Sequence, residues 1–298
     1  MIYNGGKHML LADIVASMRP KHWVKNVFIF FPLLFSGKMG DFVLLVNCLT
    51  AFLGLSLMAS GVYILNDWFD ADSDRFHPRK ANRAKTIARL RPSLASVLIV
   101  LLSLCGLAIL HVVGQQVFEL GLVYILLHFV YNIFAKRMIF LDVFFVALGF
   151  QIRIWVGSIV SGVIPSVWLQ MCVFLLALFL GFAKRRHEMV VLKEKATYHR
   201  AVLAHYTSPL LNQLITISST LIIVFYGLYT ISDELTRRTG NHYMIYSLIF
   251  VIYGIFRYLY LVYVRKSGDD AGQLLFSDLP FMIDVILWAW FCSMIIYG

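Results

Sequence analysis

A run of acidic residues, Asn66-Asp67-Trp68-Phe69-Asp70-Ala71-Asp72-Ser73-Asp74, directly follows a long apolar segment. Aspartate at the end of a membrane span is costly unless a cation compensates for it. If a helix continues through the run, Asn66, Asp70 and Asp74 recur at i, i+4 and i+8 and form one stripe of oxygen ligands. Mg²⁺ prefers one or two carboxylates together with substrate phosphates. The stripe, with Asp67 beside it, predicts a Mg²⁺ site for a phosphorylated substrate at a membrane surface.

Basic residues follow the acids in the stretch Arg75-Phe76-His77-Pro78-Arg79-Lys80-Ala81-Asn82-Arg83. Pro78 disfavours helix at the residue before it, so the chain is predicted to turn there. Such a turn folds Lys80 and Arg83 back towards the carboxylates, and metal ligands and phosphate-binding cations then share one pocket. The alternative is a solvated loop with internal salt bridges.

The composition predicts that these motifs sit on a helical membrane protein. Hydrophobic residues make up 60% of the 298 residues and charged residues 14%, with a mean hydropathy of +0.78, whereas a soluble chain has about 25% charged residues. We predict an all-α integral membrane protein, a single polytopic domain over 1–298 with about nine transmembrane helices. The predicted spans are 23–37, 42–66, 93–112, 117–135, 139–160, 165–183, 210–231, 243–264 and 280–297.

The basic residues predict the orientation of the chain. If nine spans alternate, 21 of the 26 lysines and arginines lie on one side, and the opposite loops hold Lys38, Arg237 and Arg238. The positive-inside rule then places the N-terminus and the acidic run in the cytoplasm and the C-terminus outside the cell (inner) membrane. Contact with anionic lipid is a further role for such charges. No phosphate-binding glycine loop and no nucleic-acid motif is found, so we expect no nucleic-acid partner.

With its turn and basic residues, the acidic run resembles the signature of the UbiA superfamily of intramembrane prenyltransferases, N-D-x-x-D-x-x-x-D followed by His-Pro and basic residues. The matching residues are Asn66, Asp67, Asp70, Asp74, His77, Pro78, Lys80 and Arg83. The resemblance implies a UbiA-type helical bundle with a cytoplasmic site, and it extends over essentially the whole chain.

A second position distinguishes members within that superfamily. Prenyl-transferring members carry a second D-x-x-x-D near the end of the sixth helix, whereas this chain has Gly181-Phe182-Ala183-Lys184-Arg185-Arg186-His187-Glu188. Positive charge there suits a second phosphate group better than a second metal ion. The alternative is that these basic residues serve only to set the orientation of the chain in the membrane.

The basic cluster at this position resembles that of one branch of the superfamily, the polyprenyl-phosphate phosphoribosyltransferases. Its motifs are an early R-P-x-x-W-x-K-N, a Tyr and Lys before L-D, a K-R-x-x-E, and a Gly and Asp before the last helix. The first motif matches Arg19, Pro20, Trp23, Lys25 and Asn26, and the second matches Tyr131, Lys136, Leu141 and Asp142. The third matches Lys184, Arg185 and Glu188, and the fourth matches Gly268 and Asp278.

The resemblance implies transfer of 5-phosphoribose from phosphoribosyl pyrophosphate to a polyprenyl (decaprenyl-type) phosphate, with Mg²⁺ as cofactor. Asp70 and Asp74 are predicted to hold Mg²⁺ on the leaving pyrophosphate, and Asn66 and Asp67 to support them. Lys80 and Arg83 are predicted to bind the donor phosphates. Further predicted substrate-binding residues are Lys25, Lys136, Lys184 and Arg185, for the 5-phosphate or the lipid phosphate. Asn26 and Glu188 are also predicted to bind substrate. Tyr131 and Asp142 are predicted to orient the ribose or to stabilise its cationic centre.

Two other functions remain open at this point. A prenyltransferase that moves a prenyl group from a prenyl diphosphate to an aromatic or other small acceptor needs the second acidic cluster. A transporter or lipid flippase that uses the acids as an ion site favours ionisable residues near the bilayer midplane, but here most charges lie at one face. Two arginines fall inside predicted spans: Arg153 either contacts the lipid phosphate or braces a neighbouring helix, and Arg257 is structural.

Overall fold

The chain is helical throughout the part that the computed structural model describes, which is residues 5–74, 86, 88, 90–192, 201–265, 274 and 276–298. In chain order its α-helices are α1 (Gly5–Met18), α2 (Phe31–Phe35), α3 (Phe42–Asp74), α4 (Pro92–Val113), α5 (Gln115–Ile133), α6 (Leu141–Ser161), α7 (Val167–Leu192), α8 (Ser208–Thr230), α9 (Asp233–Thr239), α10 (Leu248–Tyr263) and α11 (Leu279–Tyr297). Segments of 3₁₀-helix cover Pro20–Phe30, Ala135–Arg137, Ala201–His205 and Tyr243–Ser247.

Eight helical stretches among the described residues are long and apolar enough to cross a bilayer. They coincide with the predicted spans from 42–66 onwards, so the prediction of an all-α membrane protein is confirmed. The helix of the second predicted span continues further than predicted, since α3 runs to Asp74.

The first predicted span, 23–37, takes a different form. Residues 20–35 are the 3₁₀ segment Pro20–Phe30 followed by α2. At rises of about 2.0 and 1.5 Å per residue these sixteen residues extend about 30 Å, the thickness of the hydrocarbon core. Arg19 contacts Asp67 at one end, and the Phe35 carbonyl accepts a hydrogen bond from Arg238 at the other. The stretch therefore runs the length of the bundle without being a span-length α-helix.

Polar side chains fix this stretch against α3. Trp23 Nε1 donates to Ser60 Oγ at 3.0 Å, and Asn26 Nδ2 donates to Ser56 Oγ at 2.9 Å. Ser56 and Ser60 are one helical turn apart, so successive side chains of the 3₁₀ segment meet successive turns of α3. The two hydrogen bonds set the register of the segment on α3.

Helix α6 is the centre of the bundle. Of its apolar span 56% is buried, against 11% for α11. The backbone of the 3₁₀ segment lies directly on α6 because Gly157 has no side chain there: a Cβ at Gly157 would lie 1.9 Å from the Ile29 carbonyl oxygen. One turn earlier, Arg153 Nε donates to Asn26 Oδ1 at 2.7 Å. Helix α6 thus positions the segment that leads to Arg19.

Candidate functional site

The charged residues meet at one end of the bundle, which we call the acidic end and define by Asp67, Asp70, Asp142 and Glu188. Helix α3 continues unbroken through Asn66, Asp67 and Asp70 to Asp74. Asn66 and Asp70 therefore lie one turn apart on one face, as the spacing predicts. The Asp74 side chain lies outside the described part of the chain.

Each of the two described α3 acids has a basic partner. Asp67 is 5% exposed and forms an ion pair with Arg19. Arg19 has a φ of 52°, so its backbone is left-handed just before Pro20. Lys136 Nζ donates to Asp70 Oδ1 at 2.6 Å, and both side chains retain some exposure, 11% and 19%. Asp70 is therefore the more accessible of the two carboxylates.

A second charged cluster joins α6 to α7. Arg185 Nε donates to Asp142 Oδ2 at 2.5 Å and its Nη1 donates to Glu188 Oε2 at 3.0 Å. All three residues are buried, with exposures of 4%, 0% and 0%. Tyr131 is also within electrostatic range of Arg185. One guanidinium therefore faces two carboxylates, a compact arrangement that burial makes costly to disrupt.

Tyr206 fixes the other oxygen of Asp142. Its hydroxyl donates to Asp142 Oδ1 at 2.8 Å and accepts a hydrogen bond from the Phe140 backbone N–H at 2.9 Å. Burial, with a smaller contribution from the Asp142 charge, raises the pKa of Tyr206 above its ordinary value. Tyr206 therefore stays protonated and acts as a hydrogen-bond donor to the carboxylate.

The other predicted site residues differ in their burial and in their distance from the acidic end. Lys25 and Lys184 are half-buried, and Lys184 directly precedes Arg185 at the acidic end. Asn26 is different: it is 1% exposed and bonds to Ser56, which lies fourteen residues before Asp70 on α3, about 21 Å along the helix. These hydrogen bonds make Asn26 a brace of the 3₁₀ segment, and the substrate contact expected of Asn26 stays a prediction. Lys80, Arg83, His77, Pro78 and Gly268 lie outside the described residues.

Sequence reasoning missed several partners. Arg19 was placed in a motif but not paired with Asp67, and Tyr206 had no signal because its partner Asp142 is 64 residues away. Arg257 binds Asp278 through two hydrogen bonds, of 3.0 and 2.8 Å. That interaction holds the pKa of Asp278 below its ordinary value. Such long-range pairs leave no spacing pattern in the chain.

Arg153 braces neighbouring helices, one of the two roles predicted for it. Its Nη1 donates to the Gly149 carbonyl at 2.6 Å and its Nη2 to the Tyr124 hydroxyl at 3.1 Å, in addition to the bond from Nε to Asn26. Arg153 is 5% exposed and its described partners are neutral oxygens. It therefore joins α5, α6 and the 3₁₀ segment.

The donor set at the end of α3 fits a divalent cation. Asn66 and Asp70 offer an amide and a carboxylate oxygen one turn apart, which suits a hard cation that completes its shell with substrate phosphates. Within the described residues no group of three His, Cys, Asp or Glu side chains forms a complete ligand set. A metal site here accordingly needs the substrate, or residues beyond the described part, to supply further ligands.

Comparison with known proteins identifies the family. The model of the UbiA prenyltransferase family matches residues 27–279, and the chain belongs to that family. In fold it is similar to a UbiA homolog from Archaeoglobus fulgidus bound to GPP and Mg²⁺, with a TM-score of 0.71 and 15% identity, over 96% of this chain and 100% of that one.

Two relatives are named for a particular activity. The decaprenyl-phosphate phosphoribosyltransferase of Corynebacterium glutamicum is 28% identical over 296 residues, which covers 96% of this chain and 88% of that protein. The protein of the same name from Mycobacterium tuberculosis is 29% identical over 268 residues, covering 89% and 86%.

Proposed function

We propose that the protein transfers 5-phosphoribose from phosphoribosyl pyrophosphate to the phosphate of a polyprenyl lipid and releases pyrophosphate. The observation that carries the proposal is the charge at the end of α7. Lys184, Arg185 and Arg186 stand where prenyl-transferring members carry a second pair of aspartates, and Arg185 is paired with both Asp142 and Glu188. These two described carboxylates already share a guanidinium, which disfavours a second metal ion there, whereas the half-buried Lys184 beside them offers a cation to a phosphate. The names of the two relatives support the same activity.

In this proposal the two ends of the donor bind to different helices. The pyrophosphate lies at Asp70 and Asn66 on α3, with Asp74, Lys80 and Arg83 as further proposed contacts. A bound Mg²⁺ neutralises charge on the departing pyrophosphate. The 5-phosphate lies nearer to Lys184 on α7. Lys136 Nζ lies 2.6 Å from Asp70 Oδ1, and in this proposal it contacts the pyrophosphate beside Asp70.

The reaction needs little acid–base chemistry from the protein. The bond from the ribose C1 to the pyrophosphate oxygen breaks and its electron pair leaves with pyrophosphate. An oxygen of the acceptor phosphate, which is already ionised, forms the new bond to C1. In this proposal Tyr131 contacts the cationic ribose centre, and the enclosed Asp142, held by Arg185 and Tyr206, acts on that centre through its negative charge rather than by contact. Positioning and electrostatics supply most of the rate enhancement.

The orientation of the site belongs to the same proposal. Phosphoribosyl pyrophosphate is a soluble, highly charged metabolite, so the acidic end must face the compartment that contains it. With the positive-inside rule, this assigns the acidic end and the N-terminus to the cytoplasm and the C-terminus to the outside.

A direct assay tests the proposal against the prenyl-transfer alternative. Purified protein in lipid nanodiscs is incubated with Mg²⁺, and either ribose-labelled phosphoribosyl pyrophosphate plus decaprenyl phosphate, or labelled geranyl diphosphate plus an aromatic acid. We expect label to enter the organic phase from the first pair only, and Asp70→Asn to abolish it. Transfer from the prenyl diphosphate alone would assign the protein to prenyl transfer instead.

A further inference from the structure

Arg186 points away from the acidic cluster that Arg185 joins. Its Nε donates to Asn212 Oδ1 on α8 at 2.7 Å, and its guanidinium carbon lies 3.8 Å from the ring centroid of Tyr263 on α10. The Tyr263 hydroxyl donates to the same Asn212 oxygen at 3.0 Å. Three residues from three helices therefore hold one guanidinium plane in a fixed orientation.

The Arg186 guanidinium retains hydrogen-bond donors that its described neighbours do not use. Within the described part of the chain, Nε is the one Arg186 atom that forms a hydrogen bond, and the two Nη atoms have no partner there. Arg186 is half-buried rather than exposed. A planar guanidinium whose Nη edge is unused matches the two oxygens of a phosphate in a bidentate geometry.

A shallow groove between α8 and α10 is lined by two of the residues that Arg186 contacts, Asn212 and Tyr263. It has a volume of about 440 Å³ and is lined by Asn212, Thr216, Leu259, Tyr260 and Tyr263. Tyr263 is the last residue of its candidate membrane span and Asn212 lies one turn inside the start of another. The groove therefore opens at the level where an apolar chain meets its polar head group, and tyrosines are enriched at that level.

The rim of the groove carries further positive charge. Arg257 and Arg265 lie 5.1 and 6.0 Å from the ring centroid of Tyr260. Arg257 is neutralised by Asp278, and Arg186 has no acidic partner among the described residues. A group that completes this site must bring negative charge at the rim and an apolar chain below it.

We propose that the groove between α8 and α10 binds an anionic phospholipid, with its phosphodiester on the Nη edge of Arg186 and an acyl chain along Thr216 and Leu259. The occupant is a bulk phospholipid rather than the polyprenyl phosphate acceptor. Adjacent residues on an α-helix point about 100° apart: Arg185 faces α6 and the acidic cluster, whereas Arg186 faces α8 and α10. The two guanidinium groups therefore lie on different faces of α7, and only the one on Arg185 contacts Asp142.

Native mass spectrometry of the delipidated full-length protein tests this site. Phosphatidylglycerol is the probe and phosphatidylcholine of the same chain length is the comparison. We expect wild type to bind phosphatidylglycerol more tightly, and Arg186→Gln to weaken that binding about tenfold, the scale of one charge-assisted hydrogen-bonded pair. Arg137→Gln removes an exposed arginine elsewhere at the acidic end and is expected to change nothing.

Three results overturn the proposal: equal binding of the two lipids by wild type, equal losses in Arg186→Gln and Arg137→Gln, or displacement of phosphatidylglycerol by equimolar decaprenyl phosphate. The last result would assign the groove to the acceptor. If Arg186→Gln does not fold, Tyr263→Leu removes the ring that orients Arg186 and keeps its charge. That variant is expected to weaken phosphatidylglycerol binding, and unchanged binding contradicts the proposal.

Discussion

Arg185 Nε and Asp142 Oδ2 lie 2.5 Å apart in a fully enclosed ion pair that joins the end of α7 to the start of α6. Glu188 takes a second hydrogen bond from the same guanidinium, so two buried carboxylates share one cation. This arrangement makes Arg185 primarily a bracing residue of the acidic end. Phosphate binding by the basic cluster then depends more on Lys184, which is half-buried.

Removal of Arg185 is expected to destabilise the protein strongly. Arg185→Met removes the guanidinium that Asp142 and Glu188 share in a buried site, and loss of one partner costs about 3–5 kcal/mol in comparable buried pairs. Thermal unfolding in detergent measures the effect. The triple variant Arg185→Met, Asp142→Asn, Glu188→Gln removes the charges together and is expected to recover part of the loss. A triple variant no more stable than Arg185→Met would show that charge compensation is not the reason.

Substitution of Lys184 is expected to weaken substrate binding and to leave the stability of the protein unchanged. Lys184→Gln removes a cation from a half-buried position and keeps a polar side chain there, so the unfolding temperature should remain close to that of wild type. The KM for phosphoribosyl pyrophosphate should rise, by about tenfold for one lost charged hydrogen bond. Steady-state kinetics at saturating lipid acceptor measure it. An unchanged KM would remove Lys184 from the proposed donor site.

Asp70 and Lys136 form a pair in which a metal ion competes with the lysine. Lys136→Gln removes one competing cation from Asp70 Oδ1, so the protein without substrate is expected to bind Mn²⁺, a probe for Mg²⁺, more tightly than wild type. Asp70→Asn is expected to lose that binding and to reduce turnover more than about 100-fold, beyond the effect of changes outside the ligand shell. Electron paramagnetic resonance of Mn²⁺ gives the affinity.

The matched control for Asp70→Asn is Asp233→Asn, an exposed acid on α9, which should leave both Mn²⁺ binding and turnover unchanged. Undiminished Mn²⁺ binding by Asp70→Asn would show that the metal lies elsewhere.

The close approach of the 3₁₀ segment to α6 predicts a glycine that cannot be replaced. Gly157→Ala places a Cβ 1.9 Å from the Ile29 carbonyl oxygen, so the segment must shift, at a cost of about 1–3 kcal/mol. Gly227→Ala is the matched helical control: its Cβ meets a flexible leucine at 3.7 Å and should gain about 0.5–1 kcal/mol from helix propensity. Equal unfolding temperatures for the two variants would contradict the packing described here.

A double-mutant cycle tests the bracing role of Arg153. Arg153→Met and Asn26→Leu each break the 2.7 Å hydrogen bond between the two side chains. If that bond holds the 3₁₀ segment, the double variant should be less destabilised than the sum of the single ones, with a coupling of about 0.5–3 kcal/mol. Chemical or thermal unfolding measures the effects, and additive effects would show that the two residues are energetically independent.

Much of the fold could be read from hydropathy, and the α3 stripe from spacing. Asn66 and Asp70 are one turn apart in sequence and in space, since a helix preserves local periodicity. The crossing at residues 20–35 could not be read in the same way. Its conformation depends on tertiary contacts, a glycine on α6 and two serines on α3, and a 3₁₀ segment covers the bilayer with fewer residues than an α-helix.

The partners in the site could be predicted less well than their positions. Lys136 and Arg185 were identified as basic residues near the site, but their pairing with Asp70 and Asp142 depends on which helices are neighbours. Asn26 shows the same limit: its motif predicts a substrate contact, and only the packing shows that it also hydrogen-bonds Ser56 and Arg153. Sequence spacing identifies residues on one helix, and only packing shows which residues on other helices they meet.

The decisive experiment is Mg²⁺-dependent transfer of ribose label from phosphoribosyl pyrophosphate to decaprenyl phosphate by the purified protein. We expect a labelled lipid that releases 5-phosphoribose on mild acid hydrolysis, with one pyrophosphate formed for each lipid labelled. We also expect no labelled lipid from Asp70→Asn and normal formation by Asp233→Asn. Pyrophosphate release without labelled lipid, or label transfer that Asp70→Asn leaves intact, would contradict the proposed function.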